Sequence, residues 1–84
     1  MKIKVACPRC GQDYVLRVQL VALRTEAILC PECDALWLRE GDVGPPGPGS
    51  YGVTWFDYET FMKESGHPVT RFEVDLKVLE PLTR

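Results

Sequence analysis

The sequence predicts a small, mainly β domain of the α+β class, cross-linked through its cysteines and extended by one short helix and a C-terminal strand. Three observations predict it. The chain has 84 residues and four cysteines arranged as two close pairs. Its apolar residues alternate with polar ones in short runs, the period of half-buried strands. A single Gly/Pro-rich segment separates the cysteine-bearing half from the rest. Hydrophobic residues make up 45%, yet chains below roughly 70–80 residues rarely hold themselves together by core burial alone. A chain barely above that limit needs a cross-link, and the cysteines are the residues that can supply one.

Each element follows from period and punctuation. Ile3 and Val5 alternate with Lys2 and Lys4, a short strand leading into the first cysteine pair. Tyr14, Leu16, Val18 and Leu20 alternate with Val15, Arg17, Gln19 and Val21, a longer strand leading out of it. Ala27 to Leu29 enters the second pair and Ala35 to Leu38 leaves it. Residues 41–52 hold five of the seven glycines and three of the seven prolines. Such a run forms a loop, because proline lacks an amide and glycine loses the most backbone entropy on ordering. After it, Asp57 has the chemistry of an N-cap, and Phe56 and Phe61 the spacing of a hydrophobic staple. Gly66 and Pro68 end the helix, which is expected over 58–65. Phe72, Val74, Leu76 and Val78 then alternate with Glu73, Asp75 and Lys77, the pattern of a strand with one apolar and one charged face. The expected organisation is residues 1–40 as the cysteine unit, 41–52 as the loop, and 53–84 as helix and strand packing on the first part as one domain.

The chemistry-bearing pattern is Cys7-Pro8-Arg9-Cys10-Gly11 with Cys30-Pro31-Glu32-Cys33-Asp34. A C-x2-C turn puts two sulfurs on one side of a tight loop, with backbone amides aimed at them. Two such turns supply four thiolates at tetrahedral corners, the donor set of structural zinc. The spacer of nineteen residues between the pairs falls within the zinc-site range. Proline after the first cysteine pre-sets each turn, and Gly11 suits the positive φ that closes it. Asp34 stands at the equivalent place in the second turn and tolerates that region better than most residues. One Zn2+ per chain, held by Cys7, Cys10, Cys30 and Cys33, is the expectation. With all four positions taken by cysteine the centre is closed, hence structural. Disulfides suit an oxidising compartment, a thioredoxin-like pair needs a βαβ context, and an iron site of rubredoxin type usually repeats Cys-Pro-x-Cys-Gly where Asp34 stands here.

Elsewhere no catalytic constellation emerges, and the expectation is a non-enzymatic protein. His67, the single histidine, has no nucleophile or acid at a readable spacing and reads as the exit from the helix. Ser50 and Ser65 have no such setting either. Trp37 reads as core beside the second cysteine turn. The net charge of −2 divides into +2 over residues 1–39 and −4 over residues 40–84, and four thiolates on one divalent ion take the total to about −4. With a pI near 5.3, this is a poor footprint for phosphate backbones. A protein partner is expected, met by aromatic residues beside acids: Tyr51, Trp55, Asp57 and Glu59. Nucleic-acid binding through Lys2, Lys4, Arg9, Arg17, Arg24 and Arg39 is the alternative, and one-electron transfer of rubredoxin type a second. No apolar run approaches the ~18 residues of a membrane span, and no apolar signal segment fits before Cys7, so the chain is expected in the cytoplasm.

Residues 7–39 resemble a zinc ribbon. The longer pattern Ile28-Leu29-Cys30-Pro31-Glu32-Cys33-Asp34-Ala35-Leu36-Trp37, followed by a polar loop and Asp57-Tyr58-Glu59-Thr60-Phe61-Met62-Lys63-Glu64-Ser65-Gly66, is similar to a group of small bacterial proteins. Those couple a four-cysteine ribbon to a short helix, and some resemble immunity proteins encoded beside secreted polymorphic toxins. The resemblance implies a toxin-neutralising protein whose partner is a basic secreted toxin domain. After Gly66 the chain departs from that group, with His67-Pro68 and a strand in place of Gly-Leu and a tryptophan.

Overall fold

Leu16–Leu20 (β1) and Thr25–Leu29 (β2) form an antiparallel hairpin whose register sorts the side chains by face. Leu16, Val18 and Leu20 stand opposite Leu29, Ala27 and Thr25, while Arg17 and Gln19 stand opposite Ile28 and Glu26. Arg24 closes the connecting turn in the left-handed region, at φ +52°. Ala35–Trp37 (β3) pairs with β2, and Phe56–Asp57 (β4) pairs with β3. The computed structural model describes residues 3–43 and 55–83. Tyr58–Glu64 (α1) follows β4, and a helical turn at Phe72–Asp75 (α2) leads into the last strand, Leu76–Pro81 (β5), which pairs with β1. The sheet order is β4-β3-β2-β1-β5, so the part after the Gly/Pro segment supplies both edges of a sheet whose middle is the cysteine hairpin. This is the small, mainly β, α+β fold the sequence predicts, with its four cysteines clustered.

Both faces of the sheet carry a core. On one lie Val5, Cys7, Val15, Ile28, Cys30, Ala35, Trp37, Val43 and Leu82; on the other lie Val18, Leu20, Ala27, Leu29, Leu36, Leu76 and, from α1, Tyr58 and Met62. Val15, just before β1, and Val18 within it are each fully buried, in different cores, so apolar residues are buried in both phases of the alternation. Beyond the first core, Arg17 sits among Glu26 of β2 at 3.2 Å, Glu80 of β5 at 3.5 Å and Glu40 at 3.9 Å, so one cation serves carboxylates from two strands and from the segment after β3.

The ends of α1 follow local chemistry. The Asp57 carboxylate accepts from the Thr60 amide at 3.1 Å and its hydroxyl at 2.9 Å. The Phe56 and Phe61 rings meet with centroids 5.4 Å apart, the expected staple. At the other end Gly66 adopts φ +84°, its amide donates to Lys63 O at 3.1 Å, and His67 N donates to Met62 O at 2.9 Å. These two bonds make a Schellman cap. His67 thus ends the helix with its backbone, as expected.

Two strands differ from expectation. The alternation from Phe72 to Val78 is a strand only from Leu76 onward. The Asp75 carboxylate accepts from the Thr70 amide at 2.6 Å and its hydroxyl at 3.0 Å, and Asp75 N donates to Arg71 O at 2.8 Å. Such local side-chain bonds offer the backbone an alternative to the ladder, and they wind Phe72–Asp75 into a turn. The apolar face is also not closed: Leu76 is buried, but Val74 and Val78 are 58% and 45% exposed. A register shift opposite Arg17 and Val18 leaves Leu79 unpaired as a bulge. The strand expected at Ile3–Val5 is reduced to single bridges, Lys4 with Thr83 and Ala6 with Tyr14. Val5 is held instead by a three-way exchange with Val15 and Leu82. The expected Gly/Pro loop lies outside the described residues beyond Val43; its first residues, with Glu40, form a 3-10 turn at Glu40–Asp42.

Candidate metal centre

The two cysteine turns are built alike. Cys7 N donates to Asp13 O at 2.8 Å and Gly11 N to Cys7 O at 2.9 Å; Cys30 N donates to Ala35 O and Asp34 N to Cys30 O, both at 2.9 Å. Gly11 adopts φ +66° and Asp34 φ +61°. Asp34 therefore takes the conformation that glycine takes in the first turn, and the sequence difference leaves no trace in the backbone. A Cβ built on Gly11 meets nothing within 4 Å, so glycine is needed there for its φ and not for space. In the first turn the Cys10 amide approaches Cys7 Sγ at 3.5 Å and the Gln12 amide approaches Cys10 Sγ at 3.4 Å. In the second, the backbone of Cys33 and of Glu32 acts to hold the Cys30 thiol down.

The sheet brings all four sulfurs together. Cys7 Sγ lies 3.8 Å from Cys33 Sγ, Cys10 Sγ lies 3.6 Å from Cys30 Sγ, and all four are within 4.8 Å of one another. Four sulfurs at ~2.3 Å from a central zinc would be spaced by about 3.8 Å, so the cluster is compatible with one zinc ion. All four cysteines are free thiols, Cys7 and Cys30 buried and Cys10 and Cys33 half-buried. Electrostatics sets Cys10 apart from Cys7 and Cys30. Burial pushes the Cys7 and Cys30 thiols up, against amide hydrogen bonds that act to lower them. At Cys10 burial is again the largest single influence, but the Gln12 amide and the neighbouring cysteines outweigh it and the thiol is lowered. Amides aimed at sulfur stabilise thiolate, and a divalent cation supplies the charge that makes four thiolates stable together.

Of the residues expected to face a partner, Tyr51 lies outside the described residues. Trp55 is half-buried, packed against the cysteine-side core, with the Arg9 guanidinium 4.1 Å from its ring centroid. Asp57 is exposed and engaged as the helix cap. Glu59 is exposed on the first turn of α1, where with Thr60, Lys63, Pro68 and Val69 it lines an open depression of about 410 Å³. Asp34, Asp57 and Glu59 gather near this point: burial, then Glu59 and Asp57, raise the Asp34 carboxyl above its ordinary range. Trp37 is fully buried in the cysteine-side core, as its place after the second turn implies.

Sequence reasoning placed Arg9 only on a basic face and missed that it bridges the two turns. Its Nη1 donates to Cys33 O at 3.0 Å, so a side chain from within the first turn bonds the backbone of the second. Nothing in spacing or periodicity marks it; the one signal is that it sits between Cys7 and Cys10. Tyr58, one of the aromatic residues that could have formed a contact surface, has a different role. Its amide donates to Asp34 O at 2.9 Å, tying α1 to the second turn, and its ring is buried.

No helix among the described residues is long and apolar enough to cross a membrane. No family model, curated protein or solved structure matches the chain.

Proposed function

We propose that this chain is a non-enzymatic, zinc-stapled binding protein of the cytoplasm whose partner is another protein, and that the sharpest form of this role is neutralisation of a basic secreted toxin domain. The observation that carries the reading is how the ribbon's cations are spent. Arg17 lies among three carboxylates, Arg39 pairs with Asp42 at 3.3 Å, Arg9 bonds Cys33 O and stacks on Trp55, and Lys4 lies over the Tyr14 ring. Four of the six basic residues that would make a phosphate-binding face are thereby engaged within the molecule. Meanwhile α1 presents Glu59 and Glu64 to solvent. Opposite potentials raise association rates and select partners, so the exposed acids favour a cationic protein over a nucleic acid. The closed four-cysteine centre supports a structural metal, with chemistry at the ion left no open position.

The test is direct binding of the zinc-loaded chain to a basic toxin domain encoded by a neighbouring gene, alongside duplex and single-stranded oligonucleotides over a salt series. Glu59→Lys with Glu64→Lys should weaken toxin binding most at low salt, leaving zinc content and melting temperature unchanged. Asp57 is kept out of this variant because it caps the helix. Salt-sensitive oligonucleotide binding with no toxin binding would overturn the proposal. A red, iron–thiolate absorption spectrum in the purified protein would replace zinc by iron and revive electron transfer.

A further inference from the structure

The path from the metal centre to α1 is short and consists of specific contacts. Residues just after Cys33 hold the entry of the helix: Ala35 pairs with Asp57, Leu36 pairs with Phe56, and Asp34 O accepts the Tyr58 amide. One residue earlier, Trp55 packs against the cysteine-side core, as Cys10 and Cys33 also do. Arg9 joins these parts. It belongs to the first turn, between Cys7 and Cys10, yet its guanidinium bonds Cys33 O at 3.0 Å and covers the Trp55 ring at 4.1 Å. A guanidinium is suited to both tasks at once, since its planar face stacks on indole while its edge donates.

The position of Arg9 relative to Cys33 depends on the two turns being held together. Cys7 meets Cys33, and Cys10 meets Cys30, through sulfur. One divalent ion bound to four thiolates draws those pairs to a common centre, and the same approach brings the Arg9 donor to Cys33 O. Without that cross-link, two buried thiols and two half-buried ones have no charge to gather around, and the turns are free to separate.

We propose that Arg9 is a metal-dependent latch: it couples the four-cysteine centre to the Trp55–α1 entry, so that metal occupancy sets how firmly the N-terminal surface of α1 is presented. Arg9 is a positioning residue, acting through Cys33 O and Trp55 without ligating the ion. The inference stands apart from the identity of any partner, because it concerns the chain's own response to metal.

The experiment compares the full chain with Arg9→Lys and Arg9→Ala, each zinc-loaded and then stripped by a chelator. Zinc content is measured colorimetrically, and amide exchange of residues 59–64 together with the two indole signals by NMR. Trp37, fully buried, serves as the internal control for Trp55. Both variants should retain one zinc. In zinc-loaded Arg9→Ala the α1 amides should exchange roughly tenfold faster, the scale of one lost charge-assisted contact. Arg9→Lys should fall between the two, because it keeps the charge and loses the planar stack. Stripping zinc should shift the Trp55 signal and speed α1 exchange in the wild type, and add less in Arg9→Ala. The latch is overturned if zinc-loaded Arg9→Ala shows wild-type exchange in α1 and an unmoved Trp55 signal. It is equally overturned if zinc removal has the same effect with and without Arg9. Because loss of zinc is expected to loosen the whole sheet, zinc affinity is read as well: Arg9→Ala should yield its zinc to the chelator more readily than the wild type, since a contact that zinc promotes strengthens zinc binding in return, and unchanged release would overturn the latch.

Discussion

Tyr58 shows how much one buried side chain can set. Its ring is 3% exposed, and its hydroxyl has no hydrogen-bond partner among the described residues. Burial first, then the charges of Asp75 and Asp34, push its pKa from the ordinary 10 up to about 12. A group whose folded pKa is raised contributes fully below its unfolded value, and the contribution is lost as pH rises. Stability should therefore fall between pH 10 and about 12, by about 2–3 kcal/mol once both states have titrated. Tyr58→Phe should abolish that alkaline loss. At pH 7 it should leave stability unchanged or raise it by up to ~1 kcal/mol, because an unpaired buried hydroxyl costs desolvation without return. Urea midpoints at pH 7 and pH 11 check this, and a loss of more than ~2 kcal/mol at pH 7 would reveal a partner for the hydroxyl. At this scale the sequence was legible wherever a residue's role is set by its own turn. The positive φ of Gly11 and of Asp34 is of that kind. The role of Arg9 was not, since its partners Cys33 and Trp55 are 24 and 46 positions away.

At the scale of elements, α1 and β5 make opposite cases. The helix is specified by residues inside or next to it: Asp57 caps it, Phe56 and Phe61 staple it, and Gly66 ends it. Asp57→Ala should cost about 1 kcal/mol and speed exchange at the first turn of α1, whereas Asp57→Ser should recover most of the loss. Equal melting temperatures for the two variants would show that the side-chain cap is immaterial. For β5 the sequence offered a regular alternation, and the structure broke it twice, by the Asp75–Thr70 turn and by the bulge at Leu79. Alternation reports only that two faces differ in polarity. It does not report that a preceding Thr–Asp contact competes for the same backbone, or that β1 lies beside the strand.

For the whole molecule, the interleaved strand order matters most. Strands from beyond the Gly/Pro segment flank the cysteine hairpin on both sides, with β4 on β3 and β5 on β1. Loss of the metal should thus reach the entire sheet. Structural zinc contributes roughly 10–16 kcal/mol in small peptides, against ~5–15 kcal/mol for the net stability of a domain. Cys30→Ser should abolish amide dispersion in residues 3–43 and in the strands β4 and β5 alike, with zinc binding lost. Wild-type dispersion in Cys30→Ser, measured with and without chelator, would show that the sheet stands without its metal.

Local chemistry was enough to foresee the four-cysteine cluster, the class of fold and the ends of α1. Two C-x2-C turns, a capping carboxylate, a staple and a terminal glycine are each complete within a few residues, where bond geometry and local hydrogen bonding settle the outcome. Tertiary structure alone decided that both sheet faces are buried, that β5 lies against β1, and that Arg17 is surrounded by acids while Arg9 bridges the two cysteine turns. Those outcomes depend on which apolar surfaces find one another across the chain. Burial has no direction and no sequence separation, so no spacing along the chain records it.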